Sequence, residues 1–316
     1  MREFLEIRSA QDGLPLRVLV EKSQGQPLGI LQLSHGMAEH KERYLPLMES
    51  LAGQGFLVAI HDHRGHGESV RSREDLGYFY ENGAQALVED LHQVTQLLKA
   101  NYGNGALPFY LLGHSMGSLA ARAYCRRYDE ELDGLIVCGS PSYNPGSRFG
   151  RLLAQRMARR RGDHDRSSLI NALAFGPFAK SVRGAKTDFD WICSERSVID
   201  AYMEDPLCGF TFTLNGFISL FDLMAEAYAP EGWQVKRPEL PIWFISGAED
   251  PCMGSEKKFL KAVRFLQERG YREVSWQLYS GLRHEILNER GKEQIFADLA
   301  QMLLRWNQQA EMRKKA

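Results

Sequence analysis

No run of about 18 apolar residues occurs anywhere in this 316-residue chain, so no segment reads as a bilayer-spanning helix. Cysteine is sparse: Cys125, Cys138, Cys193, Cys208 and Cys252 are odd in number, scattered and without CxxC spacing. That excludes a disulfide framework and a cysteine zinc site, and suits a reducing compartment. Charge of one sign is also lacking, since 39 Lys and Arg face 40 Asp and Glu, a net −1. No global field therefore favours nucleic acid or an anionic membrane. The first residues, Met-Arg-Glu-Phe-Leu-Glu-Ile-Arg, carry charges where a signal peptide needs an apolar stretch, so a cytoplasmic protein is expected. There is no internal repeat and no low-complexity tract. The length allows one large domain plus an inserted subdomain.

What is present is alternation. Phe4–Arg8 and Leu16–Glu21 flank Gln11-Asp12-Gly13, a hairpin signal. Leu28–Leu33, Phe56–Ile60, Phe109–Leu112, Leu135–Cys138, Ile242–Ser246 and Val274–Leu278 are short apolar runs that read as buried strands. Helical spacing appears in Tyr44, Leu45, Leu47, Met48 and Leu51, in Leu87 through Leu98, and from about Lys292 to Trp306. The pattern predicts an α/β protein whose mostly parallel, eight-stranded sheet is covered on both faces. The alternation breaks between Ser140 and about Leu240. The division expected is a core of residues 1–142 and 238–316, with a helical cap, residues 143–237, inserted after the sixth strand.

Gly113-His114-Ser115-Met116-Gly117 stands between an apolar strand and a helix. A G-x-S-x-G turn in that setting resembles the nucleophile elbow of α/β-hydrolases, a strained turn that exposes the serine oxygen. A serine needs a base, and the base an orienting acid, in the chain order Ser, Asp or Glu, His. Only His164 and His284 follow Ser115. His164 lies in a charged, surface-like run; His284 follows the last strand, where its loop can reach the elbow. The acid should follow the strand ending at Ser246. Asp250 is preferred to Glu249 because Pro251 fixes its loop and the shorter side chain is the usual orienter; Asp222 is a remote third candidate.

A tetrahedral intermediate needs preorganised donors for its oxyanion. The Met116 amide, at a helix N-terminus, is one; the Met37 amide, after Gly36, is the second candidate, with simple packing as the alternative for Met37. His61-Asp62-His63-Arg64-Gly65-His66-Gly67 looks like a metal cluster, yet its histidines alternate along a strand end and turn. The preferred reading is structural, with Asp62 and Arg64 satisfying buried backbone and bracing the oxyanion loop. No metal or cofactor is required.

Ser34-His-Gly-Met-Ala-Glu-His-Lys-Glu-Arg-Tyr44, His61 through Ser69, Gly113–Gly117, Gly247-Ala-Glu-Asp-Pro251 and Arg283-His-Glu-Ile-Leu-Asn-Glu289 together resemble the monoacylglycerol lipase and lysophospholipase group of α/β-hydrolases. Phe189-Asp-Trp191 and Asp205-Pro-Leu-Cys-Gly209 are similar to bacterial lysophospholipases. The resemblance implies Ser115 as nucleophile, Asp250 as acid, His284 as base, and Met37 and Met116 as oxyanion donors. It implies hydrolysis of a single-chain acyl ester lipid, a lysophospholipid or monoacylglycerol, through an acyl-enzyme.

Two further readings belong to the cap. Part of the set Phe175, Phe178, Phe210, Phe212, Phe217, Phe221, Leu223 and Met224 is candidate lining for an acyl tunnel, Phe212, Phe217 and Phe221 above all, with cap packing as the alternative. Arg148, Arg151, Arg156, Arg159, Arg160 and Arg161 interleave with Leu152, Leu153 and Met157. That is a solvated basic face or a surface for peripheral contact with anionic lipid. The rival functions are an aminopeptidase or amidase, which would need Glu204, Asp205 or Glu226 to hold an amine, and a non-catalytic binding protein on the same fold.

Overall fold

The computed structural model of the chain describes residues 1–103 and 107–315. Eight strands form one sheet in the order β1-β2-β4-β3-β5-β6-β7-β8. They are β1 (Arg2–Arg8), β2 (Pro15–Glu21), β3 (Gly29–Ser34), β4 (Phe56–His61), β5 (Phe109–His114), β6 (Gly134–Cys138), β7 (Ile242–Gly247) and β8 (Val274–Tyr279). β1–β2 and β2–β4 pair antiparallel, and all other neighbours pair parallel. β1 is an edge strand whose exposure alternates residue by residue, whereas every residue of β3 to β7 is buried. Continuous apolar runs are what a parallel strand covered on both faces requires.

The helices supply that cover. Residues of α2 (Gly83–Tyr102), α3 (Met116–Tyr128) and α8 (Glu256–Arg269) pack in one apolar cluster. Those of α1 (Leu45–Gly53) and α9 (Lys292–Lys315) pack in a second, on the other face. α9 is longer than the apolar spacing to Trp306 suggests. No glycine or proline follows Gly291, so good helix formers carry it to Lys315.

Between β6 and β7 the chain adds α4 (Gly146–Arg161), α5 (Ser168–Ala179), α6 (Arg196–Glu204) and α7 (Leu214–Ala227). α7 seats this helical insertion by packing on α2, α3 and α4. The loops that follow β3, β5, β7 and β8 all leave the sheet at its carboxyl edge, which puts residues 35–44, Ser115, Asp250 and His284 at one end of the fold.

Candidate active site

Ser115 lies between β5 and α3 with φ 54° and ψ −120°, a positive φ that a non-glycine residue adopts only under constraint. The turn fits because its flanks are small. A side-chain carbon on Gly113 would stand 2.2 Å from the Gly117 carbonyl oxygen. The Ser115 amide is bonded to the Cys138 carbonyl on β6 at 3.0 Å, and Ser118 Oγ donates to the Ser115 carbonyl at 2.6 Å. The hydroxyl is thereby aimed away from the sheet.

Three loops then meet. His284 Nε2 is 2.8 Å from Ser115 Oγ, and His284 Nδ1 is 3.0 Å from Asp250 Oδ2. Asp250 is itself fixed, accepting from Ser246 Oγ at 2.9 Å and from the Cys252 amide at 2.8 Å. Both Asp250 and His284 are buried. Burial is the largest single influence and depresses the histidine, but the charge and hydrogen bond of Asp250, with the charges of Glu285 and Glu39, together raise the His284 pKa above its ordinary 6.5. The alternatives stand elsewhere: Glu249 is exposed, Asp222 is paired with Arg151, and His164 bonds Asp75 at 3.2 Å while stacked on Tyr78.

The loop after β3 lies against the elbow, since a side-chain carbon on Gly36 would come within 3.2 Å of Ser115 Cβ. Among the described residues, neither the Met37 amide nor the Met116 amide has a hydrogen-bond acceptor. Both residues line the cavity above Ser115. A buried ion network supports this loop, and no sequence signal pointed to it. Glu39 accepts from the Gly36 amide at 2.5 Å and from Tyr44 Oη at 2.9 Å, while Arg43 bonds Glu39 at 2.6 Å and forks onto Glu285 at 2.8 and 2.6 Å. Glu285 follows His284, so one guanidinium ties the Met37 loop to the His284 loop.

The histidine-rich turn is fully buried. Burial pushes His61 and His66 down to about 3 and His63 well below its ordinary value, so all three rings are neutral. Asp62 takes the Lys41 amide at 2.9 Å, Lys41 Nζ at 2.7 Å and the Glu68 amide at 2.9 Å. Arg64 bonds Asp90 at 2.8 Å and the Phe79 carbonyl at 3.1 Å. Among the described residues, two groups bring three metal-ligating atoms within 4.8 Å of one another: His40, Asp205 and Cys208, and Asp250, Cys252 and His284. In both, each imidazole nitrogen already faces a side-chain partner.

A cavity of about 770 Å³ opens over Ser115. Met37, Met116 and His284 form its floor, and Phe175, Phe178, Trp191, Phe210, Leu220, Phe221 and Met224 of the insertion wall it. The Trp191 ring sits 5.1 Å from the His284 ring. Of the six phenylalanines expected from the sequence, Phe175, Phe178, Phe210 and Phe221 line the cavity, and Phe212 and Phe217 do not. Phe212 and Phe217 are fully buried behind the wall, Phe212 against Phe79 at 5.1 Å and His66 at 5.3 Å, Phe217 against Phe212 at 5.9 Å. Both rings belong to the apolar cluster of α2, α3 and α8, so they bury the insertion against the core instead of facing the cavity.

The Hydrolase_4 family, described as "Serine aminopeptidase, S33", matches residues 25–291. The chain belongs to Hydrolase_4. This Hydrolase_4 chain is 30% identical over 282 residues to the monoglyceride lipase of Homo sapiens, covering 88% of this chain and 82% of the relative. It is 27% identical over 285 residues to the monoacylglycerol lipase of Mycolicibacterium smegmatis, covering 88% and 89%. Among solved structures, a thermostable carboxyl esterase from Bacillus coagulans in complex with glycerol superposes with a TM-score of 0.87 at 25% identity, over 97% of this chain and 99% of that one. The Hydrolase_4 chain thus shares the α/β-hydrolase fold.

Proposed function

We propose that this chain is a serine ester hydrolase that cleaves a single-chain acyl ester, a monoacylglycerol or a lysophospholipid, through an acyl-enzyme on Ser115. The observation that carries the reading is the 2.8 Å contact of Ser115 Oγ with His284 Nε2 at the floor of an apolar cavity. Ser115 Oγ attacks the acyl carbonyl as its proton passes to His284 Nε2. The Asp250 carboxylate, accepting from Nδ1–H, stabilises the imidazolium. The oxyanion takes the Met37 and Met116 amides, each such donor contributing about 3 kcal/mol. Collapse expels the alcohol, which leaves with the proton from His284. A water, deprotonated by the same nitrogen, then releases the fatty acid and restores Ser115.

The phenylalanines of the wall favour an acyl chain, which gains about 0.8 kcal/mol per buried CH₂. An amine-holding site finds less support. Glu204, Asp205 and Glu226 do not line the cavity. Of the carboxylates that line the cavity, Glu39 and Glu285 are both bonded to Arg43, and Asp188 is exposed. Retention of all three residues of the Ser–His–Asp unit opposes a non-catalytic role.

The same reading includes peripheral contact with lipid. Phe149, Leu152, Leu169 and Leu173 are 67%, 63%, 53% and 52% exposed on α4 and α5, and Leu173 also lines the cavity, so the apolar patch borders its mouth. A fluorophosphonate probe that fails to label Ser115 would end the catalytic reading. Monoglyceride, lysophosphatidylcholine and an aminoacyl amide then discriminate substrates, and faster turnover of p-nitrophenyl acetate than of the decanoate would remove the acyl tunnel.

A further inference from the structure

Met37 occupies a short loop that is held from both sides. Before it, the Gly36 amide donates to Glu39 Oε1 at 2.5 Å. After it, the Ala38 carbonyl accepts two hydrogen bonds, one from Tyr202 Oη at 2.9 Å and one from the Gly209 amide at 2.9 Å. Both donors come from the insertion, not from the core that carries Ser115. Ala38 has φ 51°, a left-handed conformation that alanine keeps only where its surroundings impose it.

A third tie lies two residues on. His40 places Nε2 at 2.8 Å from Asp205 Oδ2 and Nδ1 at 2.6 Å from Glu42 Oε2. Tyr202, Asp205 and Gly209 therefore act on the loop together, through one end of α6 and the turn after it. Arg43 lies 4.9 Å from the Tyr202 ring, so the same tyrosine also covers the guanidinium that joins Glu39 to Glu285.

We propose that the Tyr202–Gly209 turn is a clamp that aims the Met37 amide at the oxyanion, which makes Tyr202 a positioning residue for the hydrolysis. The oxyanion site is then completed by the insertion, and an elbow with its Ser–His–Asp unit but without this clamp would hold one donor loosely. The inference rests on the proposed role of Ser115 and Met37. Its chemistry is local. Loss of one hydrogen bond to the Ala38 carbonyl loosens the loop that carries the Gly36–Met37 peptide and its N–H, and a misplaced donor weakens the transition state more than the bound substrate.

The test uses the full chain and the water-soluble ester p-nitrophenyl butyrate, with rates expressed per Ser115 titrated by a fluorophosphonate. Tyr202→Phe, which keeps the ring over Arg43, should lower kcat about tenfold with KM within about twofold. Asp205→Asn, which weakens the tie to His40, should move kcat in the same direction by less, and serves if the first variant does not fold. An unchanged kcat overturns the clamp, as does a loss confined to KM. So does a loss that vanishes once rates are normalised to titrated sites. Ser115→Ala with the same ester, its rate expressed per mole of folded protein, separates the two levels. If it retains turnover the ester-hydrolase reading falls; if it is inactive while Tyr202→Phe is fully active, the clamp alone falls.

Discussion

A side-chain carbon on Gly117 would stand 2.0 Å from the carbonyl oxygen of Ser34, the last residue of β3. No real contact is that short, and the obstacle is backbone, which cannot swing aside. The first turn of α3 thus lies directly on the strand whose following loop carries Met37. Gly117 sets the distance between the two amides proposed for the oxyanion.

Gly117→Ala should therefore disturb the site more than its one methyl suggests. Forcing α3 away from β3 shifts Met116 relative to Met37, and an oxyanion donor displaced this way costs about 10²-fold in kcat. Thermal unfolding and kcat measured together check the point. Wild-type kcat with an unchanged melting temperature would show that the turn has slack the geometry denies.

Ser115, His284 and Asp250 should behave as one unit. Ser115→Ala and His284→Ala are each expected to lower kcat on the order of 10⁶-fold, and the double variant little more, because either change removes the same proton transfer. Additive losses would break the assignment.

The pH dependence has a definite sign. His284 must be neutral to accept the serine proton, and against the depressing effect of burial the surrounding carboxylates, Asp250 foremost among them, raise its pKa above 6.5. Activity should rise with pH through a midpoint above 6.5, and Asp250→Asn should move that midpoint down while lowering kcat about 10⁴-fold. Stability runs the other way. The ion pair contributes fully below the unfolded-state value and fades as pH climbs through the raised folded-state value. A kcat/KM profile with its acid limb below 6.5 would contradict both statements.

The sheet and the meeting of Ser115, Asp250 and His284 were legible because each leaves a local mark. Buried strands are apolar runs, and the elbow needs glycines at fixed offsets. The lining of the cavity was not legible in the same way. Phe217 and Phe221 share one helical spacing, and spacing cannot say which ring faces a void and which faces core; the structure puts Phe217 in the core and Phe221 on the void. The Glu39–Arg43–Glu285 network was hidden for a different reason. Charged side chains read as solvated unless a partner is known, and Glu285 lies 242 residues from Arg43. The Tyr202 hydroxyl and the Gly209 amide both meet a backbone oxygen, that of Ala38, and although Asp205–Gly209 is a recognisable run, nothing in it names the oxygen it reaches.

The outer face of the insertion carries the last prediction. Arg148, Phe149, Leu152, Arg156, Arg159 and Arg160 are exposed along α4, apolar near its start and basic toward its end. Arg151 and Arg161 are the exceptions on this helix, being paired with Asp222 and Asp165. An apolar patch beside a cavity mouth, flanked by the guanidinium groups of Arg148, Arg156, Arg159 and Arg160, which have no ion-pair partner among the described residues, suits an anionic lipid surface. Each arginine near such a surface contributes about 1 kcal/mol. Reversing three of them, as Arg156→Glu, Arg159→Glu and Arg160→Glu together, should weaken sedimentation with anionic vesicles by at least about 100-fold at low salt. Phe149→Ser with Leu152→Ser should weaken binding to neutral and anionic vesicles alike. None of these side chains lines the cavity, so turnover of p-nitrophenyl butyrate should be unchanged. Equal recovery of the unaltered protein with neutral and anionic vesicles would remove the electrostatic part and leave the arginines as a solvated face.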